Sequence, residues 1–194
     1  VHSKADSGSV LLDIAGTDAE NTITDTTKIN IAKDSKFTGN IIYALAENDI
    51  DSGAEDLTVE GVAGGGNAFK DVKSWTTFTT TAEVNINENA QMNTANSQKY
   101  EAFTKEKLKN NVKGSAGALI ANTIGGSTNT LTVTDTVNAQ SGTAFNMANY
   151  ADANGTLNAI TMAASDNLDL SVVTSGNSYG LTAGVIATSK NTTT

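Results

Sequence analysis

Oxygen ligands on alternating residues around a glycine turn are the arrangement that calcium accepts, and the run Glu47-Asn48-Asp49-Ile50-Asp51-Ser52-Gly53-Ala54-Glu55-Asp56 offers one. Asp49, Asp51, Glu55 and Asp56 are the candidate metal ligands, with calcium the cofactor they suit. Their spacing departs from the twelve-residue helix-loop-helix calcium pattern, and the same residues also make an ordinary solvated acidic turn. Asp166-Asn167-Leu168-Asp169 is a weaker second acidic turn, since Leu168 and Leu170 already account for it as part of a strand.

Catalysis has little to work with. His2 is the only histidine and sits at a terminus, so a Ser-His-Asp triad and a histidine-based zinc site are both unattractive. There is no cysteine, hence no disulfide framework and no thiolate site. A carboxylate pair of the glycosidase kind depends on spatial proximity that spacing does not reveal. The expectation is a protein that is not an enzyme, with no catalytic residue to name.

The elements that carry these side chains read as strands. The chain has 194 residues, 38% apolar and only 17% charged, and the balance is largely Thr, Asn, Ser, Ala and Gly. It has no proline, which suits long ladders in which every amide donates. In Asn129–Tyr150, Leu131, Val133 and Val137 alternate with polar residues, Ser141-Gly142 supplies a turn, and Phe145 and Met147 resume the alternation. Asn21-Thr22-Ile23-Thr24 resembles Asn129-Thr130-Leu131-Thr132, and both lead through an Asp and Thr pair into another apolar residue. Looser echoes run from Leu57 to Phe69 and from Leu168 to Tyr179, at leucine intervals of about 74 and about 37 residues.

Further strands are expected at Ser9–Gly16, with Val10, Leu12 and Ile14 on one face, and at Phe37–Leu45, with Ile41-Ile42-Tyr43 buried. One stretch reads differently. Ser97–Val112 has helix formers, a capping Ser, Gly114 beyond its end and an approximate stripe of Tyr100, Phe103, Leu108 and Val112, so a helix is expected near residues 97–113. The organisation that follows is an N-terminal β region at 1–96, that helix packed on the β body, and a C-terminal β region at 114–194, the two β regions forming one continuous domain. The fold class is all-β, with short alternating strands in a β-solenoid or a β-sandwich, and the polar tail from Ala187 to Thr194 is expected to fray.

All the positive charge is lysine, much of it between Lys99 and Lys113, and the net charge is −9. Nucleic acid is therefore not an expected partner, because phosphate neutralisation needs a basic face. No segment approaches the roughly 20 apolar residues of a membrane span, and the first residues lack the apolar core of a signal peptide, as in a mature product or a piece of something larger. Asn154-Gly155-Thr156 and Asn191-Thr192-Thr193 match the glycosylation acceptor pattern, which chance supplies in so Asn- and Thr-rich a chain.

The run T-N-T-L-T-V-T-D-T-V-N-A-Q-S-G-T-A-F resembles the repeats of bacterial cell-surface β-solenoids, including autotransporter passenger domains and S-layer or adhesin repeats. The resemblance covers the last third of the chain or a little more. It implies a parallel coil and a secreted, bacterial, non-enzymatic surface protein, and it carries over no functional residues. Independently, Thr- and Val-rich strands without proline leave edges that can pair with another chain, Val10–Ala15 being one candidate. The expected function is an extracellular structural subunit that self-assembles through β-edge contacts into a layer, filament or adhesive stalk, hence a homo-oligomer or polymer. The alternative is a calcium- or carbohydrate-binding sandwich module of a larger secreted protein, with a cell-surface glycan as partner.

Overall fold

A computed structural model describes residues 2–51 and 57–194, without the side chains of His2, Ser3 and Asp51. Ten strands follow one another: β1 (His2–Gly8), β2 (Leu12–Ile31), β3 (Lys36–Gly39), β4 (Ile42–Asp51), β5 (Leu57–Ile86), β6 (Gln91–Thr94), β7 (Gln98–Ala139), β8 (Ala144–Met147), β9 (Ile160–Tyr179) and β10 (Thr182–Thr193). All the ladders between them are parallel, so the chain is a β-solenoid and not an antiparallel sandwich.

Each coil is flat. Two long arms face one another, joined at one end by a tight bend and at the other by a short strand of the three-stranded sheet β3-β6-β8. β5 and β7 each run through the tight bend, which falls between Ala63 and Ala68 in one coil and between Ala116 and Ala121 in the next. The bend reverses which residues point inward: odd-numbered residues before it and even-numbered ones after it in β5, the opposite in β7. Stacked bends approach so closely that a Cβ on Gly65 or Gly180 would strike the carbonyl of Ser9 or Ala118 in the coil below, so only glycine fits there.

The core is layered between the arms. Ala63, Ala68, Ala116 and Ala121 fill the narrow bend, and Val59, Val72 and Val112 follow where the arms begin to part. Leu57, Phe78, Leu108 and Leu131 occupy the middle. At the wide end Ile86, Met92 and Tyr100 pack together, with Phe145 edge-on to Tyr100 at 5.5 Å between ring centres. The bend takes only small side chains, whereas the wide end holds large ones such as Tyr100 and Met92 with Ala44, Ala46, Ala82, Ala90 and Ala102 between them.

At the corner the chain turns in the left-handed region once per coil, at Asp34 (φ 57), Asn89 (φ 58) and Gly142 (φ 76). These three stack: Asp34 N–H donates to Glu88 O, Asn89 N–H donates to Ser141 O, and Asn89 Nδ2 donates to Asp34 Oδ1 at 2.9 Å. Asp, Asn and Gly are the residues that tolerate this backbone. The Ser141-Gly142 turn lies where the alternation places it, with Leu131 and Val137 packed inward on one side and Phe145 on the other.

Several expectations are corrected. Residues 97–113 are not a helix: from Gln98 onward they form the first arm of β7, so no helix separates two β regions. Gln98, Tyr100, Ala102, Thr104, Glu106, Leu108, Asn110 and Val112 all point inward at a period of two, while Lys99, Lys105, Lys107, Lys109 and Lys113 point outward. Tyr100, Leu108 and Val112 fit both periods, and only Phe103 distinguished the helical stripe. Ladder pairing on both edges overrides helix propensity there.

The face assignment at Ser9–Gly16 is reversed. Val10 is 88% exposed and Ile14 72% exposed, whereas Asp13 is buried and accepts hydrogen bonds from Ser7 Oγ and Gly64 N–H, each at 3.0 Å. Ile41 and Tyr43 are exposed as well. The C-terminal tail pairs with β7 up to Thr193. The coil repeat is 53 to 62 residues, as in the Glu60–Lys113 and Asn129–Asn191 contacts, so the leucine echoes at about 74 and about 37 residues are out of register.

Candidate functional site

Register in this coil is written on its outer surface. Lys28–Glu83 (3.0 Å), Lys33–Glu88 (2.6 Å), Asp49–Lys105 (3.1 Å) and Glu60–Lys113 (3.4 Å) each join a residue to its counterpart one coil on. Exposed pairs of this kind add little stability each, yet a slipped coil would set like charges or uncharged groups opposite them. Asparagines do the same: Asn96 Nδ2 donates to Asn40 Oδ1 at 2.7 Å, and Asn149 Nδ2 donates to Asn96 Oδ1 at 3.2 Å.

Of the candidate calcium ligands, Asp49 has its carboxylate held by Lys105. Asp51 is described only by its backbone, and Glu55 and Asp56 lie outside the described residues. Among the described residues no three Asp, Glu or His side chains gather at metal-binding distance. The lysines between Lys99 and Lys113 do not form one free face: Lys99, Lys105 and Lys113 pair with Glu101, Asp49 and Glu60. No helix is long and apolar enough to cross a membrane among the described residues.

Buried polar groups separate the apolar layers. Asn110 Nδ2 donates to Asn129 Oδ1 at 2.8 Å and lies within hydrogen-bond reach of Ser74, Thr76 and Ser127. Thr104 donates from its backbone N–H and its Oγ1 to Asp135 across the coil, at 3.0 and 2.6 Å. Next to it Glu106 is 2% exposed, its carboxylate without a well-formed hydrogen bond, and burial, with Asp135 and Asp166 nearby, pushes its carboxyl above the usual range against the opposing pull of the neighbouring Thr80 hydroxyl. Lys70 is 1% exposed, donates to Thr17 Oγ1 at 2.9 Å, and is held below the ordinary lysine value by burial, which Asp13 and Asp6 partly offset.

On the outer side of the first arm, Tyr43, Glu47, Glu101 and Phe103 line an open depression of about 420 Å³. Tyr43 donates to Glu101 Oε2 at 3.0 Å, which pushes the phenol up, and the Lys99 ammonium lies 5.3 Å from the Tyr43 ring centre. A smaller depression, of about 260 Å³, lies on the second arm, where Gly126 leaves a gap beside Trp75, Lys73 and Lys190.

The remaining candidate site is the pair of coil ends. Among the described residues β2 pairs only with β5, and β9 and β10 pair only with β7, so each keeps one row of backbone groups without a described partner strand. Such a row is a template for another strand in the same direction. β2 carries Asp13, Asp18, Glu20, Asp25 and Lys28, whereas β10 carries only Lys190. The strand-period reading of the sequence brought out these edges, and the likeness of Asn21-Thr22-Ile23-Thr24 to Asn129-Thr130-Leu131-Thr132 is in register two coils apart; the copy it missed is the one between them, Thr77-x-Thr79-x-Thr81, which matches Thr22-x-Thr24-x-Thr26 and Thr130-x-Thr132-x-Thr134.

No protein-family model, no curated protein and no solved structure matches this chain.

Proposed function

We propose that this chain is an extracellular structural subunit that stacks end to end on copies of itself, building a filament, layer or stalk of continuous coil. One observation carries the reading: the two open ends are complementary in register. Glu20, Trp75, Thr128 and Lys190 form one column, and Asn21, Thr76, Asn129 and Asn191 the next. One further step along the axis sets Lys190 of one copy beside Glu20 of the next, and Asn191 beside Asn21. The contact covers the half-coil nearest the tight bend, with β2 laid on β10 and β1 on the last residues of β9. Absence of proline from both edges leaves every amide on the open side able to join the ladder.

The test is size-exclusion chromatography with light scattering over a concentration series. Large species are expected for the native chain, a marked loss for Lys190→Glu and for Glu20→Lys, and recovery for the double charge swap. A monomer at every concentration, or assembly indifferent to both single changes, would overturn the reading.

A second reading concerns a glycan partner, favoured by the depression around Tyr43, Phe103 and Glu101, where aromatic faces and carboxylate acceptors stand together as sugar rings require. Screening of the native chain and Tyr43→Ala against immobilised glycans tests it, with binding lost in the variant expected.

A further inference from the structure

We infer that the outer face of the second arm binds ice. Three columns of threonine cross it without interruption: Thr22, Thr77, Thr130 and Thr192; Thr24, Thr79 and Thr132; Thr26, Thr81 and Thr134. Thr194 extends the second column, its N–H donating to Leu131 O at 2.9 Å and its carbonyl accepting from Val133 N–H at 3.0 Å. The pairing runs from Leu12 to Ile31 against β5 with no bulge, so the columns stay aligned.

Orientation is fixed from within. Ile23, Phe78 and Leu131 alternate with these threonines and pack in the middle core layer, which forces the threonines outward. A β-branched side chain has few rotamers, so a column of threonines can present its methyls and hydroxyls alike at little entropic cost. Among the described residues no hydroxyl of the array bonds to another protein group, although hydroxyls of the interior threonines Thr17, Thr104 and Thr123 do. The array contains no charge, and its borders are Glu20, Trp75 and Lys190 on one side and the Lys28–Glu83 pair on the other.

The spacing selects the occupant. Neighbouring strands lie about 4.8 Å apart and alternate residues about 6.6 Å apart along a strand. Hexagonal ice repeats its surface oxygens at nearly the first distance along one prism-face axis and at a somewhat longer one along the other. Hydroxyls and methyls on that grid order water by hydrogen bonding and by caging, and the ordered layer joins the crystal. A soluble ligand without a fixed lattice gains nothing from eleven evenly spaced identical groups and would need a recess or a charge, and the array offers neither.

The test is ice growth watched in a nanolitre osmometer with the full chain, read as crystal shape and as the gap between melting and freezing points. Faceted crystals and a measurable gap are expected, together with uptake of the protein into a slowly grown ice ball. Thr79→Tyr, at the centre of the array, is expected to lose most of the gap, while Lys105→Tyr on the opposite arm keeps it. Should Thr79→Tyr fail to keep the native circular dichroism spectrum, Thr132→Lys takes its place. Round, unfaceted crystals and no gap for the native chain overturn the inference, as does a full gap in a folded array variant. A variant that alters only the size of the assembly assigns the face to contact between copies and overturns it too. Glu20 and Lys190 lie outside the array, so failure of end-to-end stacking and failure of ice binding are distinguishable.

Discussion

Lys70 fills the volume that a side chain at Gly61 would occupy: a Cβ built there lies well inside van der Waals contact of Lys70 Cε and 3.0 Å from Val72 Cγ2. The pair places a lysine inside the coil, its ammonium donating to Ala5 O at 3.2 Å and to Thr17 Oγ1 at 2.9 Å. Gly61→Ala is expected to lower stability by about 1–3 kcal/mol through overpacking. In a Lys70→Ala background the same change is expected to cost much less, and urea unfolding of the four proteins measures the coupling. Equal penalties in both backgrounds would show that Lys70 does not hold that space.

Glu106 gives a pH dependence with a definite sign. Its folded carboxyl titrates above the unfolded value of 4.5, chiefly because burial disfavours the anion. Below the unfolded value the group is protonated in both states and its contribution to stability is fully present. As pH rises through the folded value, the unfolded chain has already ionised and stability is lost. Glu106→Gln is therefore expected to gain about 1–3 kcal/mol over the native chain near neutral pH and to show no such gain below about pH 4, read from urea midpoints across the range.

Gly142 and Gly155 separate backbone strain from crowding. Both have positive φ, 76° and 81°, but a Cβ on Gly142 would meet Asn89 Oδ1 of the preceding coil, whereas nothing lies within 4 Å at Gly155. Each alanine substitution is expected to cost about 1–2 kcal/mol for the left-handed backbone. Gly142→Ala is expected to cost more than Gly155→Ala, with thermal unfolding as the measure, and Asn89→Ala should narrow the difference.

Asn110 ties the middle of the coil together through Ser74, Thr76, Ser127 and Asn129. Replacement by Ala removes the donor and leaves buried acceptors unpaired, for an expected loss of about 1–3 kcal/mol. Asn129→Ala should then add little further, since the two share one network.

Strands were legible wherever one residue in two is apolar, as in Leu131, Val133 and Val137, because that period needs only local reading. The interior polar positions misled it. With Thr104, Glu106 and Asn110 inside, the first arm of β7 loses its apolar alternation, and its lysines and glutamates read as helix. At Ser9–Gly16 the inward residue is Asp13, anchored by Ser7 and by Gly64 from the next coil, a partner that no local window contains. The acidic stretch offers candidate ligands to a local reading, but the hold of Lys105 on Asp49 is 56 residues away in sequence.

By itself, the sequence determined an all-β chain without cysteine or proline and a turn at Ser141-Gly142, because composition and alternation act through neighbouring residues. The coil of 53 to 62 residues, the stacking of Asp34, Asn89 and Gly142, and the alignment of the threonines into columns were decided by the tertiary structure. A parallel ladder joins residues a whole coil apart, and their register follows from packing between the two arms, which no stretch of sequence shorter than a coil can express.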